Sequence, residues 1–213
     1  MINIVGPAMY NHLLKAVEYY AKCGFEYVNV PWTVSREAIL MTRPPHVLGE
    51  PFSYNSGGVD HYPVASAEQS FLQMAMDNWK VNVRPVGSLC ALTPCFRNEP
   101  VIDDLHQPYF MKVELISWDQ TSHEDLTKMI AHARLLFEEN LWVDCVPNTD
   151  PDPIGIEAYD LVTSHTGIEL GSYGIREHPK VGRWLYGTGL AEPRYTYAIE
   201  KEEPFNQKIE AFF

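Results

Sequence analysis

Four charged residues sit within or at the end of two runs of strand-forming sequence: Arg97 and Glu99 after the first, Lys112 and Glu114 in the second. They alternate with apolar neighbours, so in a period-2 backbone they can share one face of a sheet. A guanidinium on such a face is a rigid fork for a phosphate or carboxylate, and a carboxylate beside it can accept from a nucleobase amino group. A polar face open to water, with Arg97 paired to a strand neighbour, is the better account of one isolated hairpin. The choice between them rests on what the rest of the chain places around it.

The two runs, 86–96 and 109–118, flank a segment containing Pro100, Asp103, Asp104 and Pro108, the pattern of an antiparallel hairpin with a long tip. Upstream, 7–23 reads as an amphipathic helix, with Pro7 in its first turn, Leu13, Leu14, Val17, Tyr20 and Ala21 at helical spacing, and Gly24 as a stop. Phe25 to Trp32 reads as a strand that ends where Pro31 offers no ladder donor. The proline- and glycine-rich stretch 40–63 reads as a loop or a pair of short strands. Ser66 to Gln69 has capping-box spacing ahead of a helical stripe of Phe71, Leu72, Ala75, Met76 and Trp79, and Glu68 falls in that helix's first turn. Thr121 to Glu124 is a second capping box, leading into Leu126, Met129, Ile130, Ala133, Leu136 and Phe137. After a turn-rich connector at 147–153, residues 156–175 favour strands, with Gly167, Gly171 and Gly174 as bends or close-approach points. Gly187 and Gly189 permit tight backbone near a ligand, and Arg194 follows in the first turns of a helix.

A length of 213 residues suits one domain, 1–213, and Lys plus Arg of 16 against Asp plus Glu of 28 gives a net charge of -12. That balance opposes non-specific adhesion to nucleic acid or to an anionic membrane. The opening residues lack the basic region and apolar run of a signal peptide, and no apolar segment is long enough to span a bilayer, so a cytoplasmic location is the default. Cys23, Cys90, Cys95 and Cys145 are scattered, with no C-x-x-C pair. Cys90 and Cys95 are an odd number of residues apart and face opposite sides of a regular strand, which argues against a shared metal.

Together these pieces resemble the catalytic core of a class II aminoacyl-tRNA synthetase. Gly24-Phe-Glu-Tyr-Val-Asn-Val-Pro31 resembles that family's first motif, a helix and strand ending in proline at the dimer interface. Phe96-Arg97-Asn98-Glu99 resembles the second motif, and Gly187-x-Gly189-x-x-x-x-Arg194 the glycine-rich third. Finding all three in order, with an antiparallel core between them, is far more specific than any one. Seryl-type enzymes are the nearest likeness: Ser66-Ala67-Glu68 resembles their Thr-x-Glu loop, Phe110-Met-Lys-Val-Glu114 their Phe-x-Lys-x-Glu strand, Tyr159-Asp160-Leu161 their Asp-containing strand, and Glu169-x-x-Ser172 their metal-binding Glu-x-x-Ser. Glu169 to Arg176 is also similar to a segment of the ammonia-dependent asparagine synthetase, which makes an aminoacyl adenylate without tRNA.

The resemblance implies an α/β fold on a mixed, mainly antiparallel sheet flanked by helices, forming a homodimer through the first-motif segment. It implies activation of an amino acid by ATP, with Arg97 bridging the substrate carboxylate and α-phosphate where charge builds. Glu99 would accept from the adenine amino group, Phe110 and Arg194 would stack on the two adenine faces, and Arg194 would also reach the γ-phosphate. Glu169 and Ser172 would give hard oxygens to Mg²⁺. Glu68, Glu114 and Arg176 would meet the amino-acid substrate. His106, in the hairpin tip, either touches the triphosphate or is a solvated loop residue. Three departures matter. Nothing resembling an anticodon-binding domain accompanies the motifs, the tip Pro100 to Pro108 has no Lys or Arg, and Pro193 stands before Arg194 where the family often has Glu. These features favour transfer of the acyl group to a small molecule or carrier protein over tRNA aminoacylation, and keep open an inert paralogue that senses amino acids.

Overall fold

The computed structural model describes residues 5–43, 50–79 and 86–210. Helix α1 (Pro7–Lys22) buries Leu13, Ala16 and Tyr20. It ends as the sequence predicts: Gly24 takes φ +95°, its N–H reaches Ala21 O at 3.2 Å, and the Phe25 N–H reaches Tyr20 O at 3.0 Å. These are the paired bonds of a Schellman cap, which only a residue free of a Cβ penalty forms cheaply.

The predicted strand over 25–32 is not one strand. Glu26–Tyr27 (β1) forms a two-residue parallel ladder with β5 (Ser88–Phe96), and Thr33–Val34 (β2) joins a separate sheet. Between them the Pro31 carbonyl accepts from Ser70 Oγ at 2.6 Å, so the backbone leaves the ladder before the proline ends it. Helix α2 (Arg36–Thr42), capped by Ser35, precedes the hairpin of β3 (Tyr54–Ser56) and β4 (Val59–Pro63). The pair of short strands expected in 40–63 is therefore present, and the helix is an addition. Residues 44–49 of that stretch lie outside the described residues.

Helix α3 (Ala67–Trp79) leads to β5 and β6 (Tyr109–Ser117), which pair antiparallel from Ser88↔Ser117 to Phe96↔Tyr109, the long-tipped hairpin the sequence predicts. Helix α4 (His123–Phe137) has its capping box one residue later than expected, on Ser122 and Asp125. Strands β7 (Val143–Pro147), β8 (Gly155–Thr163), β9 (Glu169–His178) and β10 (Gly182–Glu192) follow, and α5 (Arg194–Glu210) closes the chain. The large sheet has the order β1-β5-β6-β10-β9-β8-β7, antiparallel except for β1; β2, β4 and β3 form the small sheet.

One face of the large sheet packs on α1, α4 and α5 through Tyr20, Leu115, Phe137, Tyr173 and Leu185. Its other face meets α2 and α3 at one end through Phe71, Leu72, Ile116 and Trp184. Beyond α3 that second face is open, and the polar residues gather there. Among the described residues no helix is long and apolar enough to cross a membrane.

Candidate active site

The open half of the sheet forms the floor of a cavity of about 730 Å³, within the range of small-ligand sites. Its walls bring together Glu68, Arg97, Glu99, Phe110, Glu114, Glu169, Ser172, Arg176 and Arg194. Register explains this convergence. Phe110, Lys112 and Glu114 alternate along β6; Thr188 lies opposite Glu114 on β10; Ser172 and Arg176 alternate on β9, with Asp160 opposite Ser172 on β8. Side chains two apart share a face.

At one wall Arg97 continues the β5–β6 ladder, its N–H bonding Pro108 O at 3.0 Å. Its guanidinium lies 5.0 Å over the Phe110 ring and donates to Ala65 O at 3.3 Å. No described carboxylate pairs with it. Arg194, the first residue of α5, stands across the cavity, donating to Glu169 Oε1 at 3.1 Å and to Leu105 O at 3.4 Å, a carbonyl of the hairpin tip. Glu192 anchors this helix start. Its carboxylate, fully buried, accepts from Thr196 N at 3.1 Å and Thr196 Oγ1 at 3.0 Å and pairs with His12 Nδ1 at 2.7 Å.

The deep end is ionic. Glu68, 4% exposed, has both oxygens engaged: Oε2 by Arg176 at 2.5 Å and Oε1 by the Trp184 indole N–H at 2.7 Å. Arg176 also donates to Asp152 Oδ2 at 2.7 Å and lies 4.0 Å over the Tyr186 ring. Burial works against its charge, but Glu68, Tyr186 and Asp152 together outweigh this and hold it more basic than usual. Glu114 Oε2 pairs with Lys112 and accepts from Ser66 Oγ at 2.6 Å. No described residue donates to its other oxygen, and burial raises its carboxyl above the ordinary range. Glu68 is thus committed to the protein, while Glu114 keeps one buried acceptor facing the cavity.

Glu169 and Ser172 lie together at the rim, Ser172 Oγ 3.5 Å from Glu169 Oε1 and donating to Asp160 Oδ1 at 2.6 Å. An exposed carboxylate beside a hydroxyl is a hard-oxygen pair that fits Mg²⁺, which takes few protein ligands and keeps phosphate oxygens and water. Among the described residues no group of three His, Cys, Asp or Glu side chains is placed to hold a metal. Cys90 joins the helix-side core while Cys95 lies near Lys112 and Glu114, on opposite faces as their spacing requires.

Gly187 and Gly189 do not line the cavity. A Cβ on Gly187 would meet Tyr173 Cδ1 at 2.6 Å, and one on Gly189 would meet Tyr20 Cε2 at 2.9 Å. Both glycines make room for core rings on the helix side instead of for a ligand. Sequence reasoning also missed Asp152, Trp184 and Tyr186, which complete the Arg176 cluster. Trp184 and Tyr186 carry the same period-2 signal as Thr188, whereas Asp152 sits in the Pro-rich connector, where spacing carries no information.

The sequence matches no protein-family model and no curated protein. Solved structures do match. The chain is similar to a cytoplasmic serine-tRNA ligase from Naegleria fowleri in complex with AMP (TM-score 0.70, 17% identity, 86% of this chain and 46% of that one). It is similar to seryl-tRNA synthetase from Pyrococcus horikoshii complexed with ATP (TM-score 0.73, 21% identity, 88% and 49%). A third likeness is the pyrrolysyl-tRNA synthetase PylSc of Desulfitobacterium hafniense (TM-score 0.67, 15% identity, 92% and 70%). The chain spans just under half the length of the two seryl enzymes. Its fold is that of a class II aminoacyl-tRNA synthetase catalytic domain.

Proposed function

We propose that the chain is an amino-acid-activating ligase: ATP and an amino acid give an aminoacyl adenylate and pyrophosphate, and the acyl group passes to a small molecule or carrier protein. The observation that carries this reading is the pair of arginines on facing walls of one cavity, Arg97 over an aromatic ring with no carboxylate partner and Arg194 held at a helix start. Joining a carboxylate to an α-phosphate requires two anions to be held together while negative charge grows at phosphorus, and fixed guanidinium groups lower that cost without reorganising.

Arg97 bridges the two anions, Glu99 accepts from the adenine amino group, and Phe110 and Arg194 enclose the base. The unpartnered oxygen of Glu114 takes the substrate ammonium, with Lys112 keeping the site's charge balanced. Arg176 and Glu68 define the wall against the substrate side chain. Glu169 and Ser172 would hold Mg²⁺, which would neutralise phosphate charge. We also assign a homodimer through α1 and β1, supported by the exposed Tyr10, Leu14 and Tyr27 on that side.

Amino-acid-dependent exchange of labelled pyrophosphate into ATP tests the reading. Exchange with at least one amino acid is expected, and Arg97→Ala is expected to reduce it by about 100-fold or more, as for loss of one preorganised electrostatic group. No exchange with any of the twenty amino acids would sink the proposal.

A further inference from the structure

We infer that His106 is the general base of the acyl-transfer step, taking a proton from a primary amine that attacks the aminoacyl adenylate; this rests on the activation reading above. The geometry of the hairpin tip sets the tautomer. His106 Nδ1 lies 2.9 Å from Asp103 Oδ1. The same oxygen accepts the backbone N–H groups of Leu105 at 2.9 Å and His106 at 2.7 Å. Those hydrogen bonds hold the Asp103 carboxyl below the usual range. An ionised carboxylate only accepts, so the proton of the neutral imidazole sits on Nδ1 and the lone pair on Nε2. The tip is braced: Asp103 N–H bonds His106 O at 3.1 Å, the Gln107 side chain bonds Asp103 O, and Arg194 reaches Leu105 O. His106 lines the same cavity as Arg97 and Arg194.

The other histidine lining the cavity has the opposite tautomer. His178 Nδ1 accepts the Lys180 N–H at 3.2 Å, which puts its proton on Nε2 and makes it a donor. The carboxylates Glu68 and Glu169 are tied to Arg176 and Arg194, and Glu114, paired through one oxygen with Lys112, has its other oxygen assigned to the substrate ammonium. His106 is therefore the histidine of the cavity placed to take a proton.

The charge of the tip selects the acceptor. Asp103 and Asp104 stand in a loop with no Lys or Arg, so a cationic amine is drawn in and a polyanion such as an RNA end is repelled. In the step itself the ammonium first gives one proton to bulk water, and the neutral amine nitrogen then attacks the acyl carbon and a C–N bond forms. The bond from that carbon to the phosphate oxygen breaks, AMP leaves with the electron pair, and the proton shed by nitrogen passes to His106 Nε2. Asp103 steadies the resulting imidazolium.

The test uses the full chain with ATP, Mg²⁺ and the activated amino acid. AMP release is measured with ethanolamine as acceptor, with hydroxylamine as a nucleophile that attacks mixed anhydrides without a base, and alongside pyrophosphate exchange. His106→Gln is expected to lower ethanolamine-dependent release by about 100-fold relative to exchange, the scale of general-base catalysis, and to lower hydroxylamine use far less. Asp103→Asn moves the same ratio in the same direction. A parallel fall in exchange makes His106 a triphosphate contact and overturns the proposal, as does equal loss with both nucleophiles. Transfer to tRNA or to a carrier thiol in place of ethanolamine also overturns it. Absence of any exchange in the unmodified protein sinks the activation reading itself.

Discussion

Glu68→Ala removes one carboxylate that serves two buried partners. Arg176 is 13% exposed at its side chain, and Trp184 is fully buried with its indole N–H donating only to Glu68. Breaking a buried ion pair from one side costs about 3–5 kcal/mol, but Arg176 keeps Asp152 and the Tyr186 face, which puts its share at the low end. The stranded indole N–H adds about 1 kcal/mol. Water entering from the adjoining cavity returns part of both, so the expected loss is about 3 kcal/mol, or roughly 6–12 °C in Tm for a chain of this size. Glu68→Gln keeps an acceptor for Trp184 and is expected to cost about 2 kcal/mol. Arg176→Met, which strands Glu68 instead, costs about 3 kcal/mol. Urea unfolding of both single variants and of the Glu68→Gln, Arg176→Met double variant closes a cycle, and a coupling of about 2 kcal/mol is expected. Costs that simply add to within about 0.5 kcal/mol would show that the pair does not act as one unit.

Two further outcomes follow from the same geometry. Ser122→Ala is expected to cost about 1 kcal/mol and Thr121→Ala almost nothing, because Ser122 Oγ accepts the Asp125 N–H at 3.2 Å while Asp125 Oδ2 accepts the Ser122 N–H; the reverse order in denaturant midpoints would put the cap back where the sequence first suggests. Burial raises the Glu192 carboxyl, only partly offset by His12 and Thr196, so the folded state holds that proton more tightly than the unfolded chain does. Its contribution to stability is complete below the ordinary glutamate range and is lost as pH rises through the raised value. The Tm advantage of the unmodified protein over Glu192→Gln therefore shrinks as pH rises from the ordinary glutamate range through the raised value, and an advantage that grows would refute the assignment.

Elements whose signal is local were legible in the sequence. α1 and α4 are defined by stripes and caps, and the β5–β6 hairpin by two apolar runs around a proline-bounded tip. The errors arise where neighbouring residues offer equal local chemistry. Thr121 and Ser122 are both good caps with an acid three residues on, and the structure uses the second. Ser66 and Gln69 have capping-box spacing, and the Ser66 hydroxyl does accept the Glu68 N–H at 3.2 Å while donating to Glu114; Gln69 Oε1 accepts from Ala65 N at 2.8 Å instead of from Ser66 N, so half of the box forms and the serine serves both the cap and the site. Phe25 to Trp32 is strand-like throughout, and residue type alone cannot show that only Glu26–Tyr27 join the large sheet while the small sheet begins after it, at Thr33. The residues singled out by motif line one cavity, but their pairing was not legible: Glu68 and Arg176 are 108 positions apart, and only register places them in contact.

The glycines of β10 show why a correct location came with an incorrect role. Pairing of β10 with β6 shifts between Thr188 and Leu190, and a bulge leaves a backbone group off the ladder that must find another partner. The Gly189 carbonyl accepts from Tyr20 Oη at 3.0 Å, and the neighbouring Thr188 carbonyl accepts from Tyr173 Oη at 2.6 Å. Both phenols come from the helix side, and their rings approach only because Gly187 and Gly189 carry no Cβ. On β9, Gly174 does the same on the cavity side, where a Cβ would meet Tyr186 Cε1 at 2.7 Å; the Tyr186 ring lies there and carries Arg176. Small residues therefore hold the floor of the cavity through close-packed tyrosines on both faces of the sheet, while Arg97, Glu114 and Arg194 line the cavity itself. A Gly-x-Gly next to an arginine marks the right strand because the strand must bend and be braced there before the helix bearing Arg194 can begin.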